Sequence, residues 1–140
     1  MGEWFVLEHT ADLALEARGD SPEEALEALC LGLAAQVVDP RTVAPRETVE
    51  IVYEGMDRPE TLVGALGELL YWIQTRGWAF HAFRVREAGE RRIALAAWGE
   101  PRDPARHRVG TEIKAATYHG LRFERDPDRQ QWVLRVLFDV

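Results

Sequence analysis

Apolar and polar residues alternate over 12–18, with Leu13, Leu15 and Ala17 on one face and Asp12, Ala14, Glu16 and Arg18 on the other. That period of two predicts a half-buried strand. Gly19-Asp20 then turns the chain, and Ser21-Pro22-Glu23-Glu24 carries the residues of a capping box: serine at the N-cap, proline in the first turn, glutamate three residues on. The period now lengthens to that of a helix, with Leu26, Leu29, Cys30, Leu33 and Val37 on one stripe, and Asp39-Pro40 ends it. Val49, Ile51 and Tyr53 predict a strand over 48–54. A second helix over about 59–76 aligns Leu62, Leu66, Leu69 and Ile73, with Gly77 as its stop.

Period two returns at Trp78 and predicts strands at 78–87, 91–98, 111–118 and 131–139. Gly89-Glu90 divides the first pair, an irregular stretch rich in proline, arginine and glycine fills 99–110, and Asp126-Pro127-Asp128 turns the chain before the last strand. By its length, 99–110 is a candidate for function or mobility. The final strand is apolar on both faces, Trp132, Leu134, Val136 and Phe138 against Val133 and Leu137, which predicts a central place in a sheet. The order β-α-β, then α, then consecutive strands predicts an α+β fold in one domain over 1–140. Its two amphipathic helices would pack on one face of a mixed, largely antiparallel sheet as a two-layer sandwich.

Composition narrows the function. With 140 residues, 46% hydrophobic and 29% charged, the chain can bury a real core. Its 17 basic and 24 acidic residues leave a net charge of −7, which argues against general binding to a nucleic-acid backbone. Cys30 is the sole cysteine, so an internal disulfide and a cysteine-built zinc site are both excluded, and its apolar surroundings suit a small core residue better than a nucleophile. The first residues lack the basic start and long apolar run of a signal peptide, and no stretch would span a bilayer; a cytoplasmic protein with no membrane partner is the simplest expectation.

The common catalytic signatures are absent. Neither Gly-rich phosphate loop occurs, nor a His-Glu-x-x-His helix, and Ser21, the only serine, lies in no nucleophile elbow, so no organic cofactor is expected. What remains is a set of polar residues at strand ends. Within His9-Thr10-Ala11-Asp12, the side chains of Thr10 and Asp12 suit first a local turn, and the Asp12 carboxylate, as the second reading, a hard-cation site. Asp139 and Val140 place a side-chain carboxylate beside a chain-end carboxylate at the close of an apolar strand. Near Asp12 such a cluster would repel itself unless a divalent cation or a basic side chain neutralised it.

Lys114 is the only lysine among sixteen arginines, which suits either chance or a need for a compact ammonium. His119 suits a ligand, a proton carrier or a structural histidine. Glu68 precedes the buried stripe position Leu69 and reads as a solvated or ion-paired helix residue. His107 suits phosphate contact or simple solvation.

Three segments taken together resemble the archease family: His9-Thr10-Ala11-Asp12 leading into a strand and capped helix, Lys114 through His119, and Phe138-Asp139-Val140. The Gly-Glu-Pro stretch ending in His107 shares the family's look, and the resemblance covers essentially the whole chain. It implies a protein cofactor, not itself an enzyme, that activates the RNA-splicing ligase of tRNA splicing and RNA repair. The implied action is promotion of guanylylation of the ligase's active-site histidine, with multiple turnover and only indirect contact with RNA. The family's metal ligands transfer to Asp12, Asp139 and Val140. Lys114 matches a lysine linked to function, and His119, His9 and Glu68 complete the residues assigned to ligase activation. Valine at the chain end, where isoleucine is also usual, and alanine at position 116 rather than valine are mild departures. An all-oxygen acidic set favours Ca²⁺, Mg²⁺ or Mn²⁺ over zinc. A free-standing metal-dependent hydrolase using the same cluster, and a chaperone-like module for RNA-processing proteins, are the alternatives.

Overall fold

The computed structural model describes residues 1–7 and 12–140. The chain runs β1 (Glu3–Leu7), β2 (Leu13–Gly19), α1 (Pro22–Val37), a 3-10 turn (Pro40–Thr42), β3 (Glu47–Glu54), α2 (Arg58–Gln74), β4 (Trp78–Ala88), β5 (Arg92–Pro101), β6 (Ala115–Asp126) and β7 (Gln131–Asp139). Helix α1 starts where its cap requires. The Ser21 hydroxyl accepts the Glu24 amide at 3.1 Å, and the Glu24 carboxylate reaches back to the Asp20 amide at 3.1 Å. Asp57 caps α2 the same way, accepting the Glu60 amide at 2.9 Å. After α2, Gly77 adopts a φ of +68°, a left-handed conformation that glycine takes at little cost, and the chain leaves in the direction of β4.

The α+β class, the two helices and antiparallel pairing all hold, but the strands form two sheets instead of one. Their orders are β1-β2-β7-β6 and β3-β5-β4, every pair antiparallel. Helix α1 packs on β2 of the first sheet and β4 of the second, and α2 on β6 and β3, so the helices lie between the sheets. The sequence of α1 permits this. Leu26, Leu29 and Leu33 have zero exposure and Ala25, Ala28, Gly32 and Ala34 are buried too, with Gly32 under Trp4 of β1 in the first sheet while Glu23 and Glu27 reach the amides of β4 in the second. Replacing Leu29 or Leu33 by alanine would cost about 2–5 kcal/mol.

Strand β7 is central, as its two apolar faces require: it pairs with β2 from Leu13↔Phe138 to Gly19↔Trp132 and with β6 on its other side. Two boundaries differ from the periodicity. Residues 111–114 are not strand, because the backbone amides of Gly110 and Thr111 donate to the last carbonyls of α1, Val37 at 2.7 Å and Gln36 at 2.9 Å. The irregular segment is therefore 102–114, a strap across the helix end. Strand β6 then continues to Asp126 through an irregularity: Thr117 pairs with Leu137 and Arg122 with Arg135, so the four residues 118–121 stand opposite Val136 alone. No described helix is long and apolar enough to cross a membrane.

Candidate functional site at the strand ends

The pairing register brings distant residues to one end of the four-stranded sheet. Leu13 faces Phe138, so Asp12 and Asp139 stand next to one another in sequence order at the ends of adjacent strands. On the other side of β7, Ala115 faces Asp139, and the Lys114 amide donates to the Asp139 carbonyl at 2.8 Å. Three of the residues singled out in the sequence, Asp12 and, more than a hundred positions later, Lys114 and Asp139, are thus assembled by one strand insertion. Strand alternation sets Asp139 on the face of Leu137 and its partner Ala14, the side of the sheet away from the helices, while Asp12 lies in a bend just before β2. Asp139, Val140 and Lys114 are exposed and Asp12 is half-buried. Among the described residues none of Asp12, Lys114 and Asp139 has an ion-pair partner within 4 Å.

His119 and Glu68 sit further along. His119 is exposed on the bulge of β6, where Gly120 has a φ of +65° and the Thr117 hydroxyl bonds the Leu137 carbonyl at 2.9 Å. Glu68 is exposed on α2. It lies close enough to Tyr53 to act on its ionisation. The Tyr53 hydroxyl is held up from its usual pKa, first by the hydrogen bond it donates to Glu60, then by burial, with the Glu60 charge, Tyr118 and Glu68 adding to it. The bulge had one sequence signal, Gly120 inside an alternating segment. His9 lies outside the described residues.

The 102–114 strap holds a second polar cluster of a different kind. His107 is buried, and its Nδ1 accepts the Asp103 amide at 2.8 Å, which leaves Nε2 to donate to Glu100 at 3.1 Å. Glu100, 1% exposed, also accepts from Arg106 at 2.9 and 3.1 Å and from the Ala44 amide at 2.8 Å. The Arg106 hydrogen bonds and the Ala44 amide, against the cost of burial, pull the Glu100 carboxyl down to about 2. Neither sequence reading of His107, phosphate contact or solvation, survives its burial; it latches the strap. Cys30 is fully buried, and burial pushes its thiol up to about 12, as an inert core residue requires.

The donors at the strand ends are all hard oxygens, the type that Ca²⁺, Mg²⁺ and Mn²⁺ take. Among the described residues no three side chains of His, Cys, Asp or Glu converge as a complete metal cage. Asp12 and Asp139 supply two carboxylates, and a cation there would complete its sphere from main-chain oxygen, water or a partner's groups. The donor set thus fits a hard cation held at an open, exposed corner.

Comparison with known proteins covers the whole arrangement. The Archease protein family (MTH1598/TM1083) matches residues 4–140. The chain is 39% identical to the protein archease of Thermococcus gammatolerans and 36% identical to that of Pyrococcus furiosus, in both cases over all of this chain and all of the relative. It is 37% identical to the protein archease of Methanopyrus kandleri over 98% of this chain and 99% of that one. The solution structure of Methanobacterium thermoautotrophicum protein 1598 superposes with a TM-score of 0.71 at 27% identity, covering 99% of this chain and 98% of the other.

Proposed function

The chain belongs to the archease family, and we propose that it acts as a cytoplasmic protein cofactor of the RNA-splicing ligase. In this reading it promotes guanylylation of the ligase's active-site histidine, sustains multiple turnover, touches RNA only indirectly and catalyses nothing by itself. The observation that carries the proposal is the pair of carboxylates at neighbouring strand ends, an exposed Asp139 closing β7 and a half-buried Asp12 just before β2, without a basic partner among the described residues. Two carboxylates at neighbouring strand ends, without a basic partner among the described residues, suit a cation brought to that corner.

Asp12, Asp139 and the main-chain oxygen of Val140 would hold a divalent cation, Ca²⁺, Mg²⁺ or Mn²⁺, through hard oxygen donors. When bound, the cation supplies positive charge to phosphate oxygens. Lys114, tied through its amide to the Asp139 carbonyl, keeps its ammonium at the same corner, where it can pair with a phosphate group. The apolar Phe138, buried at zero exposure, anchors the strand just before Asp139 and keeps the carboxylate from swinging as a free tail. His119, His9 and Glu68 are assigned to contact with the ligase around this corner.

The test is guanylylation of the cognate ligase with GTP and divalent metal, with this protein present at substoichiometric amounts. Acceleration over many turnovers, lost in Asp139→Ala, supports the reading. No acceleration with the cognate ligase overturns it, and release of phosphate from a phosphoester without any ligase would replace it with a hydrolase.

A further inference from the structure

The edges of the two sheets meet over α1 in a groove that the strand-end site does not use. Strand β1 ends the first sheet and β4 ends the second, so each has one side without a strand partner among the described residues. Between them, a cleft of about 490 Å³ is floored by Trp4, Ala28, Leu31 and Phe83 and rimmed by Glu3, Glu24 and Glu27. It continues into a second hollow of about 580 Å³ that shares Trp4, Leu31 and His81.

The two edges are finished differently. On β4, carboxylates from α1 accept the outward amides: Glu27 takes Val85 at 3.0 Å and Glu23 takes Ala88 at 3.1 Å. That edge is closed to further pairing there, a recognised way of blunting a sheet edge. On β1 no side chain caps the outer amides among the described residues, and its sequence Glu3-Trp4-Phe5-Val6-Leu7 is an apolar run with Phe5 42% and Val6 53% exposed. The strand is also rigidly seated: Trp4 lies directly on Gly32 of α1, where even a Cβ would come within 2.7 Å of the indole.

We propose that β1 and this groove bind an extended segment of a protein partner, one that adds to the β1 edge as a strand and carries an aliphatic side chain next to lysine or arginine. Main-chain bonds to β1 supply the pairing, and alternate side chains of the added strand enter the groove. The aliphatic side chain meets Trp4 and Leu31. The basic side chain meets the glutamate rim, where the Met1 amino group already lies 3.6 Å from Glu24. Charge selects the occupant: Glu3, Glu24 and Glu27 outnumber the Met1 amino group and Arg84, 3.9 Å from Glu27, so the rim is acidic on balance and disfavours an acidic segment, and a second copy would bring its own Glu3 against it. The proposal is independent of the ligase reading, since neither Asp12 nor Asp139 lines the groove.

Fluorescence anisotropy with a labelled nonapeptide of alternating valine and lysine tests this on the full chain. A valine–glutamate peptide and a serine–lysine peptide serve as controls. Binding of the valine–lysine peptide alone, weakened about tenfold or more by Leu31→Arg and by the exposed-site change Glu3→Lys, is the expected result. The amides of β1 should gain protection from hydrogen exchange in the complex. Equal binding of all three peptides, indifference to both substitutions, or protection confined to other strands overturns the proposal. So does a concentration-dependent dimer that buries β1 in the absence of peptide, which would make the occupant a second copy. Stimulation of the ligase by Glu3→Lys at the unmodified rate leaves the strand-end reading standing whatever the peptides do.

Discussion

Glu100 and Asp139 are both carboxylates at the far end of a strand, and the fold surrounds them in opposite ways. Glu100 is buried and accepts from two nitrogens of Arg106, from His107 and from the Ala44 amide. Glu16 is handled likewise. It is buried on β2, and although burial alone would raise its pKa, the guanidiniums of Arg135 and Arg18 outweigh that and lower it. Asp139 and its neighbour Asp12 have no such partner among the described residues, although arginine is abundant in the chain. Arginines pair with the buried Glu16 and Glu100 and also with exposed carboxylates such as Asp39, Glu50 and Glu87, yet among the described residues none lies within ion-pair distance of Asp12 or Asp139. That is the pattern expected of a site that takes its positive charge from outside.

The sharpest way to break this contrast is to remove one carboxylate from each place. Asp139→Ala should reduce ligase guanylylation to the rate of the ligase alone while leaving the thermal midpoint within about 2 °C of wild type, because an exposed and unpaired side chain contributes little stability. Retained stimulation would detach the site from the function. Glu100→Ala should do the reverse. Leaving Arg106 and His107 without their buried acceptor costs about 3–5 kcal/mol, read from urea unfolding, with stimulation retained well below the melting temperature.

A titration with Mn²⁺ or Ca²⁺ sharpens the comparison further. At a hundredfold excess over its dissociation constant a cation held by the folded state adds about 2.7 kcal/mol, so the melting temperature should rise, fall again with EDTA, and be unmoved in Asp12→Ala. Equal shifts in wild type and Asp12→Ala would place the ion elsewhere. The smallest effect concerns acid. Because the Glu100 pKa is lowered in the fold from its ordinary 4.5 to about 2, its contribution is complete above 4.5 and disappears as the pH falls toward 2. The stability of Glu100→Gln should therefore slope less with pH across that window than wild type, measured by denaturant unfolding at each pH.

Much of this was readable in the chain. Ser21 and Pro22 placed the start of α1, and the two apolar faces of 131–139 placed β7 in the middle of a sheet. The division into two sheets was not readable. Period two tells which side of a strand is buried but not which strand lies next to it, and α1 is buried beyond its leucine stripe through Ala25, Ala28, Gly32 and Ala34, residues whose small size gives a weak apolar signal. Strand β1 escaped for a related reason: its four apolar residues in succession do not alternate. The latch of Glu100 and His107 depends on a fold of the strap that no local pattern encodes, and the register of Asp12 and Asp139 follows from pairing across more than a hundred residues.

Strand β7 follows the other described strands along the chain and yet is the one that separates β2 from β6. On the ribosome, β1, β2 and both helices emerge before it, so the four-stranded sheet has a gap at its centre until β7 clears the exit tunnel. Bonds such as Glu16 to Arg135, spanning 119 positions, form only after that. Asp139 comes to the same end of the sheet as Asp12 as the gap closes. The acidic corner is consequently a late product of folding: a chain cut short anywhere before β7 lacks both its central strand and half of the pair.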